Sequence, residues 1–213
     1  MKRHIILLVL FVATVASSSA QKGYFGFRVG ASASGYYGNA YDKAKDSFLL
    51  ASIWTPTAGF YVNSHVNDYF WIKTEFNYVN RGYTQQSQGQ TLKTNYYYID
   101  AYPITPAFHV KGAQIFAGPS ISLLVASNRD TLINGSVERV SDNELKGFNR
   151  YDVGIMAGFE YEFNFGLNLG VRVVHGFTSL YEPSPSTKVQ TQWFNQNYLV
   201  TIGYTIGRKP EKK

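Results

Sequence analysis

Eight segments of the chain alternate between apolar and polar positions with a period of two, the spacing at which successive side chains of a β-strand point to opposite faces. They cover residues 23–35, 53–62, 69–82, 95–108, 114–125, 148–163, 167–177 and 193–206. The clearest pair lies in 148–177. Tyr151, Val153, Ile155, Ala157, Phe159 and Tyr161 share one face, and Arg150, Asp152, Gly154, Met156, Gly158, Glu160 and Glu162 share the other. After a turn at 164–166, Leu167, Leu169, Val171 and Val173 continue the apolar face against Asn168, Gly170 and Arg172. The connections alternate in length: 63–68, 110–113 and 164–166 are short, whereas 36–52, 83–94, 126–147 and 178–192 are long. Short turns at one end and long loops at the other predict an all-β, eight-stranded antiparallel up-and-down barrel.

Two solvents could meet the apolar face. Inside a soluble barrel it would point inward; in a transmembrane β-barrel it points to lipid. Across the eight segments this face carries no Lys, Arg, Asp or Glu. A lysine or arginine facing lipid at mid-bilayer costs roughly 2 to 4 kcal/mol, so their absence is what lipid imposes. The charged face is also rich in glycine, which suits a narrow lumen crowded by long side chains. Aromatics gather toward the strand ends. Tyr36, Tyr37, Trp54, Tyr78, Tyr83, Tyr96, Tyr97, Tyr98, Tyr151, Phe177, Trp193 and Phe194 lie toward the loops, and Tyr24, Phe60, Tyr69, Phe70, Phe108, Phe163 and Phe165 toward the turns. They read as two interfacial girdles, represented by Trp54, Tyr78, Tyr97, Tyr151, Phe163 and Tyr204. Pro56, Pro103, Pro106 and Pro119 fall inside strands, where each removes a ladder donor and predicts a bulge.

Residues 1–20 open with Lys2 and Arg3, continue in an apolar run and end in small residues, the signature of a secretory signal peptide with the mature chain beginning at Gln21. The barrel is then expected over 21–207 and a basic periplasmic tail over 208–213. Cysteine is absent, which excludes a lipid-anchored lipoprotein and a disulfide framework. The formal charge of +6 is concentrated at the two ends, in Lys2 and Arg3 and in the tail, so no basic stripe supports a nucleic-acid partner.

Alternation places Arg28, Lys73, Arg81, Arg150 and Arg172 in the lumen with Glu75, Asp100, Asp152, Glu160 and Glu162. Equal numbers of the two signs predict a structural ionic network that fills the barrel, since eight strands leave space only for side chains or one small ligand. Within it Arg172 is expected to lean past Gly170 toward Glu160. The competing reading is a selectivity lining or a proton path.

No residue set points to catalysis. His175 with Thr178, Ser179 and Glu182 supplies the residue types of a rim hydrolase, yet a lone interfacial histidine needs no catalytic explanation. His65 and His109 stand at turns without the clustered partners that a metal requires. No cofactor motif is present. Binding is expected at the long loops 83–94 and 126–147, by an extracellular ligand or protein. Within the second, Asp130-Thr131-Leu132 is similar to an O-glycosylation acceptor motif. Outer-membrane lipid is the remaining partner, and the barrel is expected to be a monomer.

The segments FGFRVG, FWIKTEFNYVNRG, IFAGPSISLLVAS, YDVGIMAGFEYEF, LNLGVRVVHGFTSLY and NYLVTIGYTIG, in that order and spacing, resemble the small outer-membrane β-barrel proteins of Bacteroidetes, the porin-like or PorT-like group. The resemblance spans residues 23–207. It implies an eight-stranded barrel in the outer membrane, and it admits a narrow channel for small solutes or an accessory role in protein secretion. The chain departs from the common outer-membrane ending, a terminal aromatic, by continuing past Ile206 into GRKPEKK.

An outward arginine should block insertion and an inward one should be milder. Ile155→Arg is therefore expected to abolish the heat-modifiable gel migration of the folded barrel, and Asn168→Arg to reduce it less.

Overall fold

The computed structural model describes residues 23–87, 90–133, 136–142, 145, 147–182 and 192–207. Its strands are β1 (Gly23–Tyr37), β2 (Leu49–Ser52), β3 (Trp54–His65), β4 (Phe70–Ser87), β5 (Gln90–Val110), β6 (Ala113–Ile133), β7 (Ser136–Asp142), β8 (Tyr151–Glu162), β9 (Leu167–Ser179) and β10 (Phe194–Ile206), with one helix, α1 (Asn39–Ser47). All pairings are antiparallel. The ladder runs β1–β3–β4–β5–β6–β8–β9–β10 and closes where β10 pairs with β1, from Phe25↔Ile206 to Tyr37↔Phe194. Closure leaves the wall without an edge.

Ten strands fill eight ring positions. β2 and β3 both pair with β4 and are separated by Ile53, whose carbonyl accepts a bond from the Ser34 amide at 3.2 Å. β7 continues the place of β8 beside β6, with Ser127↔Asp142 to Ile133↔Ser136. The loops expected at 83–94 and 126–147 are thus largely strand: β4 and β5 stay paired out to Ser87↔Gln90. Polar alternation such as Thr84, Gln86, Lys93 and Thr91 reads as loop because it lacks an apolar face. Above a membrane a hairpin needs none.

The faces sort as lipid exposure demands. Phe27, Val29, Trp54, Ile115, Val153, Ile155, Val171, Val200 and Ile202 are exposed on the outside of the ring, while the alternate residues are buried within it. Phe76 keeps the outward phase of its strand but is covered, stacked on Phe60 at 5.2 Å. The prolines mark one irregular stretch. The β5–β6 register breaks between Ala101 and Ala107, around Pro103 and Pro106, and the gap faces the part of β6 that holds Pro119. Opposite it β4 bulges between Lys73 and Glu75, and the Thr74 hydroxyl donates to the Pro103 carbonyl at 2.8 Å. Pro56 stays in register with Ala31, and the β3–β4 ladder starts just beyond it at Thr57.

Asn168 corrects one expectation. It is fully buried and donates to the Tyr61 hydroxyl at 2.5 Å, so an arginine there has no room and Asn168→Arg is expected to fail as Ile155→Arg does.

The 164–166 turn carries Gly166 at φ 95°, and a Cβ there would stand 2.6 Å from the Thr205 carbonyl oxygen. Gly166→Val is expected to cost about 1 kcal/mol or more through backbone strain alone. A lowered urea midpoint in detergent micelles would show it, with Asn164→Ala close to wild type.

Candidate functional site: a filled lumen

Inward-facing side chains stack along the barrel in layers. Nearest the short turns, Trp71 packs between Tyr24 at 5.9 Å and His109 at 4.6 Å, filling the mouth at that end. Above it lies a first ionic layer. Glu75 accepts from Arg28 at 2.8 Å and from Arg172 at 3.0 and 3.2 Å. Glu160 accepts from Arg172 at 2.6 Å and from Lys73 at 2.8 Å. Lys73 also donates to Gln114, which donates to Glu162 at 3.4 Å. Aromatic faces complete the coordination of the cations: Arg28 stands 4.2 Å over Tyr61 and Lys73 4.6 Å over Phe116.

The local chain explains the Arg172 geometry. Glu160 pairs with Gly170 and Arg172 with Gly158, so the guanidinium crosses diagonally over a position without a side chain. A Cβ on Gly170 would come within 2.8 Å of Arg172 Nη1 and 3.3 Å of Glu160 Oε2. Here glycine is a matter of space rather than of backbone angle.

A second ionic layer sits nearer the long hairpins. Arg81 donates to both Asp100 oxygens at 2.8 and 2.6 Å and to Ser122 at 3.1 Å, lies 4.4 Å over Tyr98, and stands 3.7 Å from Asp152. Asp152 accepts from Asn195 at 2.9 Å and from the Thr178 amide at 3.2 Å. Between the layers come Val79 on β4, Met156 on β8, Val174 on β9 and Leu199 on β10, all buried in one apolar cluster. Over the second layer Tyr36, Tyr83, Tyr96, Tyr98, Leu124 and Trp193 form an aromatic cap, against which α1 packs Ala40, Tyr41 and Ala44. Burial beside Trp193, with Asp42 adding repulsion, raises the Tyr41 phenol above its ordinary value. Burial, reinforced by Tyr83, raises Tyr181 at the same mouth.

Nine of the ten charged residues assigned to the lumen are buried there: Arg28, Lys73, Glu75, Arg81, Asp100, Asp152, Glu160, Glu162 and Arg172. Arg150 is not. β8 starts only at Tyr151, and the chain reaches it through a bend after Gly147 at φ 79°, so strand alternation does not extend to Arg150, which is exposed at the rim. Among the described residues the lumen therefore holds four cations, Arg28, Lys73, Arg81 and Arg172, against five carboxylates.

The girdle also needs correction. Trp54, Tyr78, Tyr151 and Tyr204 are exposed outside the ring, Tyr97 stacks on Tyr78 at 6.2 Å, and Phe163 packs edge-on to Tyr161. Tyr36, Tyr83, Tyr96, Tyr98 and Trp193, however, are buried in the cap, and Tyr24 joins the lower plug. Tyr96, Tyr98 and Tyr102 share the phase of Asp100, and that phase was the available signal.

The rim residues His175 and Ser179 are not assembled as a catalytic pair. The His175 ring stacks on Tyr37 at 4.4 Å, the Thr178 hydroxyl accepts from the Val153 amide at 3.1 Å, and the Ser179 hydroxyl accepts from the Trp193 amide at 3.5 Å. No group of three or more His, Asp or Glu able to hold a metal occurs among the described residues. The side chain of Thr131 and the residues 1–20 and 208–213 lie outside the described residues.

A closed ring, a charge-free outer face and a packed interior are the properties of a barrel built for an outer membrane. The sequence matches the outer membrane protein beta-barrel domain family over residues 17–182. The chain belongs to this family. No curated protein matches it in sequence. Among solved structures it is similar to Ail, the attachment invasion locus protein of Yersinia pestis, with 10% identity, 87% of this chain and all of that chain covered, and a TM-score of 0.48. Neisserial surface protein A gives 9% identity, 86% and 99% coverage and 0.48, and OprG of Pseudomonas aeruginosa 11%, 87% and 97%, and 0.43. At that identity and superposition the likeness carries no argument about role, and the ring rests on its own ladder pairings.

Removing one partner of the first ionic layer strands the others. Arg172→Ala is expected to destabilise the barrel by about 3 to 5 kcal/mol, whereas Lys45→Ala on the exposed face of α1 should leave it near wild type. Adding Glu75→Gln should recover part of the loss, and Gly170→Ala should reproduce part of it. Thermal melting in detergent is the measurement.

Proposed function

We propose that residues 1–20 direct export, that the mature chain from Gln21 inserts as a monomeric outer-membrane barrel with residues 208–213 in the periplasm, and that it serves as a non-enzymatic scaffold presenting its long hairpins to an extracellular ligand or protein. The observation that carries the reading is the blocked lumen. An ion entering from either end meets an aromatic plug, paired charges and then the apolar layer of Val79, Met156, Val174 and Leu199. A charge crossing that layer loses its hydration and meets only neutral side chains, the buried Ser32–Asn197 pair beside Leu199 and Val174. What remains open to solvent is the strand-paired extension of β4–β5 and β6–β7 above the Tyr78–Tyr97 girdle, the part of the barrel where binding residues would sit.

A narrow porin-like channel or a secretion accessory finds no residue here that favours it. Purified protein in planar bilayers is expected to give no stable large conductance at either polarity. Steady single-channel steps would replace the scaffold reading with the channel.

A further inference from the structure

Above the girdle the wall opens where the barrel below is closed. β2 stands at the end of the ladder order and pairs with β4 alone, from Leu49↔Gln86 to Ser52↔Tyr83. Beneath it Ile53 still reaches β1 through the Ser34 amide, but from there β1 continues with β10 only, up to Tyr37↔Phe194. The chain between β1 and β2 crosses the mouth as α1, which rests Ala40, Tyr41 and Ala44 on the aromatic cap. A strand turns its amides and carbonyls to both of its sides, and β4 occupies one side of β2. Leu49 and Ala51 on one face of β2 and Ser52 on the other are all exposed, while Leu50 is half-buried against the cap.

This edge carries apolar side chains beyond the reach of lipid. Leu49 is 73% exposed, and Phe48, which leads into the strand, is 39% exposed. Their height follows from β4, where Gln86, the partner of Leu49, lies eight residues past Tyr78 of the girdle. At about 3.3 Å per residue and a tilt of about 40° that is roughly 20 Å above the belt, past the headgroups of a bilayer.

A second copy in the same membrane does not fit the edge. A twofold axis normal to the bilayer leaves both β2 strands running in the same sense, and with each tilted by about 40° they cross at about 80° instead of pairing. An extended segment of a separate polypeptide arrives from the aqueous side at whatever angle the strand requires. Its backbone matches the row of donors and acceptors on β2, and alternate apolar side chains match Leu49.

We propose that β2 is a docking edge for an extended strand of a separate extracellular polypeptide, which adds to β2 on the side opposite β4 and covers Leu49. This docking rests on the hairpins serving as the binding surface proposed above, and it gives that surface its class of partner.

The mature barrel in lipid nanodiscs is titrated against a fluorescein-labelled peptide of alternating valine and threonine with a lysine at each end, and binding is read by anisotropy. Saturable binding is expected. The same peptide with all its core amides N-methylated keeps the side chains and loses the donors, and should bind about tenfold more weakly or worse. Leu49→Lys, which sets a charge on the edge, should weaken the parent peptide by about tenfold as well, and Asn164→Ala at the opposite end should change nothing. Leu49 is exposed, and unchanged melting of the variant confirms that folding is intact. Absence of saturable binding by wild type overturns the proposal, as does equal binding of the N-methylated peptide. Undiminished binding by Leu49→Lys removes the β2 edge while leaving the hairpins as a binding surface. Pairing of two barrels that Leu49→Lys abolishes, read by native mass spectrometry, would give the edge to a second copy and equally overturn the assignment. A conducting lumen would sink the scaffold reading and alter none of these titrations.

Discussion

A charged side chain cannot be left alone inside a barrel eight strands wide. The wall excludes water on the outside and the lumen has little room for it within, so every guanidinium, ammonium and carboxylate that enters must find a counter-charge or a hydrogen-bond partner among the other strands. Much of the architecture follows. Arg172 on β9 binds Glu75 on β4 and Glu160 on β8; Arg28 on β1 shares Glu75; Lys73 on β4 shares Glu160. Apart from Arg172–Glu160, which spans the neighbouring pair β9 and β8, these contacts tie together strands that are not neighbours in the ring. The backbone ladder holds each strand to two others, and the ions hold the ring across its diameter.

Space for the ions is made by what is missing. Long cationic side chains and aromatic faces coexist because glycines such as Gly158 and Gly170 clear the wall beside them. The same economy appears in the packing of Arg28 over Tyr61 and Lys73 over Phe116, where a ring face takes the place that water or a further carboxylate would otherwise fill.

The ring and its facing were legible because a period of two is enforced twice over, by lipid outside and by packing inside. Ile155 and Glu160 could each belong to only one face. Legibility ended where one of the two constraints lapsed. Above the girdle no lipid acts on the outer face, so Thr84 to Gln86 and Thr91 to Lys93 form strand without an apolar signature. Arg150 lies one residue outside β8, where alternation no longer governs direction. Tyrosine was ambiguous for a different reason. It suits both a membrane interface and a buried cap, and only the phase shared with Asp100 separates Tyr96 and Tyr98, which point inward, from Tyr97, which faces out. The Arg172–Glu160 contact was accessible from sequence because turn length sets the register of a hairpin. The Arg172–Glu75 contact was not, since it crosses the lumen between strands that no local rule relates.

The apolar layer of Val79, Met156, Val174 and Leu199 divides the interior into two compartments of charge. Each compartment must satisfy its own members, because Glu75 and Arg81 on the same strand are held apart by Asn77 and Val79. Substitutions in one compartment therefore find their nearest compensating partners within it. Over evolutionary time the two should drift as separate units, with exchanges of sign or of partner confined to one storey of the barrel while the other stays fixed.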